Sequence, residues 1–241
     1  MSVYNYKVTD YAHGQKITNY ARPIVTGKKR KHRHIDDAER TPDMVAHSLN
    51  TSINRTKNII YDLSKSNDWD WFITLTFDPK KYNSSDYDMV VSLLKKFIDK
   101  IRKRCSPDLV YMIVPELHKD QKKFHFHGLF AKIGALDLIP SGKDEIFNIP
   151  DWRYGFSTAS KIKDSVRASA YITKYITKEC VQVTKYKRRY YTSRNIRRPA
   201  VECYNSPHQL EDIIVTYKPD YIASSGMGGA HNQVTYMEID D

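Results

Sequence analysis

The stretch Phe124-His-Phe-His-Gly-Leu-Phe130 is predicted to be a β-strand, and it decides the fold that we expect. A polar turn, Lys119-Asp-Gln-Lys-Lys123, separates it from the apolar run Leu109–Val114, which Pro115 is expected to end. Two such runs joined by a short polar turn predict an antiparallel hairpin. Upstream, Trp71-Phe-Ile-Thr-Leu-Thr-Phe77 is rich in β-branched and aromatic residues, so it predicts a further strand.

Helical patterns lie among these strands. Asp86–Arg104 predicts an amphipathic helix, because its apolar residues recur at helical spacing. Thr41-Pro42-Asp43 has the capping residues of a helix start, and Asp164 is predicted to cap a helix that runs to about Cys180. Strands and helices are mixed without regular βαβα alternation. The sequence therefore predicts an α+β fold with a central, mainly antiparallel sheet flanked by helices.

Further strands are expected towards both ends of the chain. The candidates are a hairpin of Tyr4–Val8 with Lys16–Tyr20, a short strand at Trp152–Phe156 and a final strand at Gln233–Ile239. We divide the chain into three regions: an N-terminal extension (1–67), a core (68–182) and a basic C-terminal region (183–241).

Composition limits the classes of function. The 241-residue chain has a formal net charge of +11, which favours polyanionic partners such as nucleic acid. The basic block Lys28–Arg33 is read either as a solvated arm or as a DNA contact. Aromatic residues make up 12% of the chain and exclude disorder over its whole length. Three widely spaced cysteines predict no disulfide framework, and we expect a cytoplasmic protein. The apolar runs fall far short of the roughly 20 residues of a membrane span, so we expect no membrane association.

The pair His125-Phe-His127 is the first candidate for chemistry. Alternate residues of a strand face the same side, so two imidazoles at this spacing can bind one metal ion. Glu116 at the end of the neighbouring strand would complete a site of two histidines and one carboxylate, and His118 is the rival third ligand. Ordinary strand histidines are the alternative interpretation.

The second candidate is Tyr171-Ile-Thr-Lys174-Tyr175-Ile-Thr-Lys178. On a single helix, Tyr171, Lys174, Tyr175 and Lys178 fall on one stripe, with two isoleucines on an adjacent ridge. A phenol with its ordinary pKa near 10 is a weak nucleophile at neutral pH, and nearby positive charge activates it. A solvated amphipathic helix with half-buried tyrosines is the alternative.

A third stretch, residues 185–198, combines cations with tyrosines. Such a pattern suits single-stranded nucleic acid, since cations follow the phosphates while aromatic rings stack on bases. A basic surface hairpin is the alternative. The cations are Lys185, Lys187, Arg188, Arg189, Arg194, Arg197 and Arg198.

Three motifs in order resemble those of the HUH endonucleases. They are Phe72-Ile-Thr-Leu-Thr-Phe77, then Glu116 ahead of His125-Phe-His127, then the doubled tyrosine–lysine motif of 171–178. In particular they are similar to the rolling-circle replication initiators of phages and plasmids, the gene A type with two tyrosines included. The resemblance covers about residues 72–178 and implies the HUH palm, which is ferredoxin- or RRM-like.

The resemblance also implies an activity and its participants. The histidine pair and Glu116 would hold Mg²⁺ or Mn²⁺, and Tyr171 or Tyr175 would attack a DNA phosphodiester, with Lys174 and Lys178 stabilising charge. We expect Thr74 and Thr76 of the first motif to contact DNA. The expected partner is single-stranded DNA at a replication origin, together with a host helicase and polymerase. The sequence contains no GxxxxGK[ST] loop, so we expect no fused ATPase.

Three alternatives to a replication initiator stay open at this stage. A transposase would use the same chemistry on the ends of an element, and a relaxase-like enzyme would act on a transfer origin. A non-catalytic DNA-binding regulator would keep the scaffold without cleaving.

Overall fold

The computed structural model describes residues 2–27, 40–118, 122–208, 210–227 and 232–240. The basic block Lys28–Arg33 lies outside the described residues. In chain order the elements are β1 (Val3–Asp10), β2 (Gln15–Val25), α1 (Pro42–Lys65), β3 (Trp71–Thr76), α2 (Tyr87–Arg104), β4 (Val110–Leu117), β5 (Phe124–Ala131), β6 (Ile139–Pro140), β7 (Ile146–Asn148), β8 (Ser157–Lys161), α3 (Ser165–Ile172), a 3₁₀ turn (Thr173–Tyr175), α4 (Lys178–Val183), β9 (Tyr191–Thr192), β10 (Ala200–Tyr204), α5 (Leu210–Tyr217), β11 (Tyr221–Met227) and β12 (Asn232–Ile239).

The predicted α+β class is confirmed. The described strands form two antiparallel sheets, one of seven strands and one of five, with helices packed against them. The chain divides into two compact units, residues 40–197 and residues 1–39 with 198–241. Among the described residues, no helix is both long enough and apolar enough to cross a membrane.

The larger unit, residues 40–197, is a sheet between two layers of helices. Its strand order is β6-β7-β8-β3-β5-β4-β9, which places β3, β5 and β4 side by side. The α2 helix packs on one face of this sheet, and α1 and α3 pack on the other. As predicted, Thr41 caps α1 and Asp86 caps α2, each accepting hydrogen bonds from backbone N–H groups of the first turn.

The smaller unit joins the two ends of the chain. Its strand order is β10-β1-β2-β12-β11, so the predicted hairpin of β1 with β2 is confirmed and lies between strands from the C-terminal region. A small core of Tyr6, Ile17, Ile213 and Met237 forms where α5 packs on this sheet. These units divide the chain differently from the predicted regions 1–67, 68–182 and 183–241, because β10 pairs with β1 and α1 packs on the larger sheet.

Two predicted strand boundaries are wrong. Pro115 does not end β4 but lies within it, opposite Phe126. The other neighbour, β9, pairs only with Met112 and Ile113, so the described residues place no strand on that side of Pro115. Proline lacks an N–H group and is tolerated where a strand has such an open edge.

The predicted strand at Trp152–Phe156 is instead a series of turns, and β8 begins at Ser157. The Trp152 ring is buried, and its Nε1 donates to the carbonyl of Thr76 across 2.9 Å. Gly155 lies so close to the end of β3 that a Cβ atom would stand 2.2 Å from the Thr76 carbonyl oxygen. The aromatic residues therefore reflect tertiary packing of a loop, not strand formation.

Candidate active site

The site begins with the register of three neighbouring strands. Thr74 of β3 pairs with His127 of β5, and Thr76 pairs with His125. On the other side of β5, His125 pairs with Glu116 of β4. Directly paired residues project to the same face of a sheet, and so do residues two apart on one strand. The two threonines, the two histidines and Glu116 therefore share one face.

Hydrogen bonds fix both imidazole rings. The Oγ1 atom of Thr74 lies 3.1 Å from Nδ1 of His127, and Oγ1 of Thr76 lies 3.0 Å from Nδ1 of His125. The Nε2 atom of His127 lies 2.7 Å from Oε2 of Glu116. A hydroxyl that accepts a hydrogen bond from Nδ1–H leaves Nε2 with its lone pair, which is the arrangement that metal-binding histidines use. The threonines, which we expected to contact DNA, have their hydroxyls on the histidines.

The donor set suits a hard divalent cation, but it is not assembled as a metal cluster. Across the described parts of the chain, no three His, Cys, Asp or Glu side chains are gathered closely enough to hold a metal ion. Glu116 contacts His127, whereas His118 stacks on His125 with ring centroids 5.0 Å apart. Both candidates for the third ligand therefore stay open.

Tyr175 lies directly on this histidine. Its ring stacks on His127 with centroids 3.8 Å apart and an interplanar angle of 10°, and only 7% of the residue is exposed. Phe72, two residues before Thr74 on β3, contacts His127, Tyr171 and Tyr175 with its ring. Sequence reasoning missed this aromatic contact, although Phe72, Thr74 and Thr76 alternate along β3 and so share a face.

Tyr171 and Lys174 form the exposed part of the site. Tyr171 is 48% exposed, and its ring meets that of Tyr175 edge to face with centroids 5.7 Å apart. The Lys174 Nζ lies 3.3 Å from the Tyr171 ring centroid and 5.0 Å from that of Tyr175. One cation thus serves both phenols, and the two isoleucines of the motif, Ile172 and Ile176, are buried as predicted.

The two phenols differ in acidity. The hydrogen bond with Lys174, followed by one with Tyr175, lowers the pKa of Tyr171 below its ordinary value. Burial, followed by the hydrogen bond with Tyr171, raises the pKa of Tyr175. The more exposed phenol is therefore the one whose phenolate is stabilised.

Lys178 does not lie on the predicted stripe. The single helix predicted from Asp164 to Cys180 is wrong, because α3 ends at Ile172 and Ile176 leaves the helical conformation at φ −84° and ψ 85°. Thr177 caps α4, and Lys178 opens that helix as an exposed residue. The break turns Lys178 away from the regular spacing that would have aligned it with Lys174.

The basic stretch 185–198 is partly built into the larger unit. Arg189 donates to Ser52 Oγ of α1 across 2.6 Å, and Lys187 pairs with Asp88 of α2 at 2.7 Å. Tyr191 is buried in β9, whereas Tyr186 is almost fully exposed. The other cations of the stretch are exposed on the surface: Lys185, Arg188, Arg194, Arg197 and Arg198.

Comparison with known proteins agrees with the region that holds this site. Residues 70–180 match the family model of the replication-associated protein ORF2/gene 2 protein. That segment spans β3 to the start of α4, including every residue of the sheet face and both tyrosines. The match is consistent with a replication protein of the Rep type. No curated protein and no solved structure shows a significant match to the chain.

Proposed function

We propose that this protein initiates rolling-circle DNA replication by nicking and rejoining single-stranded DNA at an origin. The observation that carries the proposal is the position of Tyr171 and Lys174, which Tyr175 and Phe72 link to the His127–Glu116 pair on one sheet face. A phenol beside an ammonium group and a cluster of imidazole and carboxylate groups suits phosphoryl transfer. The match to a replication-associated family supports DNA as the substrate.

The reaction assigns each group a role. The Tyr171 oxygen attacks the scissile phosphorus and loses its proton, and the bond from phosphorus to the 3′ oxygen breaks. The 3′ oxygen takes a proton to become a free 3′-OH, while the 5′ phosphate stays joined to Tyr171. Lys174 stabilises the phenolate before attack and negative charge during it. Because the phosphotyrosine ester keeps the energy of the broken bond, the strand can later be rejoined without an external energy source.

His125, His127 and Glu116 would hold Mg²⁺ or Mn²⁺, with His118 as the alternative to Glu116. The bound ion would supply Lewis-acid polarisation of the scissile phosphate. Imidazole with carboxylate is a donor set that accepts such cations, and the threonine contacts at Nδ1 orient both rings for it.

Tyr171 is the nucleophile of the first cleavage in this proposal. Its hydroxyl is accessible and its pKa is lowered, whereas Tyr175 is buried against His127 with a raised pKa. Once Tyr171 carries the 5′ phosphate, Tyr175 is the neighbouring phenol for a second cleavage. We further propose that host enzymes provide unwinding and synthesis, since the new 3′-OH is a primer and the sequence has no ATPase loop.

The test is adduct formation on single-stranded oligonucleotides tiled across the replicon's own origin. With Mn²⁺ we expect one oligonucleotide to give a covalent protein–DNA product that survives SDS, and a released fragment with a 3′-OH. EDTA should prevent both. Tight binding without any adduct on any tile would instead identify a non-catalytic regulator.

A further inference from the structure

A cleft of about 500 Å³ opens at the end of β3, beside the candidate active site. Thr76 belongs to both, because it lines the cleft and its Oγ1 contacts His125. The opposite wall is the loop Trp152–Phe156, which contributes Arg153 and Phe156. Neither the family match nor the tyrosine chemistry assigns a role to this loop.

Phe156 is the unusual residue of the cleft. It is 61% exposed, although a large apolar ring is normally buried. Its backbone is held firmly, since Thr76 donates to the Phe156 carbonyl across 2.8 Å and Asp78 donates to the Tyr154 carbonyl across 2.9 Å. The close approach of Gly155 to Thr76 tightens the same contact. The loop therefore presents an aromatic ring to solvent on a fixed backbone.

The charges around the ring favour an anionic partner. Lys81 and Arg153 both line the cleft and are exposed. Asp78 also lines it, but its carboxylate accepts from the backbone of Lys80 at 2.9 Å and pairs with Lys81 at 3.6 Å. An exposed aromatic ring flanked by cations is the combination that binds single-stranded nucleic acid.

We propose that this cleft binds one unpaired base of the DNA strand next to the scissile phosphate. The Phe156 ring stacks on the base, and Arg153 and Lys81 contact the adjoining phosphates. A volume of this size is in the range of pockets that hold small ligands, and a nucleoside fits within it. The inference rests on the proposed function for the strand's position, and it names a subsite that contributes to binding of that strand.

The experiment compares two probes with equal numbers of phosphates. One is a fluorescent oligothymidylate of twelve nucleotides, and the other is an abasic strand of the same length. Fluorescence anisotropy with the full-length protein should show that wild type prefers the oligothymidylate. Phe156→Ala should weaken binding to the oligothymidylate on the order of ten-fold and leave binding to the abasic strand unchanged. Phe156→Tyr should retain wild-type affinity for both strands.

Ile139→Ala is the matched control, because Ile139 is similarly exposed on β6 of the same sheet. It should change neither affinity. Arg153→Ala should weaken binding to both strands equally and lower the salt dependence, since it removes a phosphate contact. Equal affinities of wild type and Phe156→Ala for oligothymidylate would overturn the subsite, and so would an equal loss on both strands.

The two proposals fail in different measurements. Wild-type protein that forms no adduct on any tile refutes the proposed nuclease. An adduct-forming wild type whose base preference does not depend on Phe156 refutes the subsite alone. Because the binding assay uses strands that need no cleavage, its result does not depend on the tyrosines.

Discussion

The two compact units carry very different charge. Residues 40–197 contain 29 Lys and Arg against 17 Asp and Glu, a net charge of +12. Residues 1–39 with 198–241 contain 10 Lys and Arg against 11 Asp and Glu, a net charge of −1. The whole positive excess of the protein therefore belongs to the unit that also holds the histidines and tyrosines.

This difference assigns the electrostatic part of DNA binding to one unit. Affinity for nucleic acid comes largely from phosphate neutralisation, which needs an excess of cations near the strand. The smaller unit has no such excess, and its described helix α5 is acidic in its first turn. We therefore expect catalysis and salt-dependent binding to follow substitutions in 40–197 and to be insensitive to those elsewhere.

The largest effect is expected from the tyrosines of the larger unit. Tyr171→Phe with Tyr175→Phe should abolish the covalent adduct, because no phenol remains beside Lys174. Tyr171→Phe alone should lose most of the first cleavage, and Tyr175→Phe should keep it, since Tyr171 is the accessible phenol with the lowered pKa. Adduct is quantified on denaturing gels with the cleavable oligonucleotide.

A residual adduct in the double variant would move the nucleophile elsewhere. Tyr221→Phe is the control from the smaller unit, since that tyrosine is similarly exposed on β11. It should form adduct at the wild-type rate.

The next effect concerns the histidines. His125→Ala and His127→Ala should each reduce cleavage by about a hundred-fold, because each removes a donor and Nε2 of His127 also holds Glu116. Binding to the uncleaved strand should change little, since phosphate contacts supply most of the affinity. Cleavage rates and anisotropy on the same oligonucleotide measure the two quantities. Full cleavage in the presence of EDTA would exclude the metal site.

A smaller effect is expected from exposed cations of the basic stretch. Arg188→Ala with Arg194→Ala should lower the slope of log K against log salt by about 1.4, at roughly 0.7 per phosphate contact of a single strand. Both arginines are exposed, whereas Arg189 is tied to α1 and its loss would also disturb folding.

The matched control is the pair Lys7→Ala and Lys218→Ala in the smaller unit. These variants remove the same charge, so a purely global electrostatic effect would lower the slope equally. An unchanged slope in the control and a lower one in the arginine pair would locate the DNA contacts in the larger unit.

The smallest effect on DNA binding is expected from a change that weakens the smaller unit. Gly14 has φ +79° in the turn between β1 and β2, and a Cβ atom there would stand 1.9 Å from the Ile239 carbonyl oxygen. Gly14→Ala should lower the free energy of unfolding by about 1–3 kcal/mol. Thermal unfolding measures this loss, while affinity for single-stranded DNA at room temperature should stay unchanged.

Gly142→Ala is the comparison variant. Gly142 has φ +82°, but nothing lies within 4 Å of the added Cβ, so only the backbone penalty remains. A drop in DNA affinity that tracks the stability loss of Gly14→Ala would show that the smaller unit takes part in binding.

The sequence predicted the elements whose signals are local. The cap residues Thr41 and Asp86 satisfy their own first turns, so both helix starts were confirmed. The β4–β5 hairpin was also confirmed, because its two apolar runs are neighbours in the chain. The hairpin then made it predictable that Glu116 shares a face with the histidines, since register follows from chain order in a short connection.

Elements that depend on distant neighbours were mispredicted. Trp152–Phe156 has the composition of a strand, yet the end of β3 accepts the Trp152 ring and holds the segment as turns. The helix predicted through 176 breaks, and no glycine or proline marks the break in 164–180. Helix propensity is a weak preference that packing overrides.

By itself the sequence determined the α+β class, the histidine pair on one strand face, the doubled tyrosine motif and the overall excess of cations. Only the tertiary structure decided that Tyr175 lies buried on His127 while Tyr171 stays exposed beside Lys174. It likewise decided that both ends of the chain form one sheet with no positive excess. The reason is that a repeated motif gives two tyrosines the same local sequence, and burial and charge depend on which atoms the fold brings next to each.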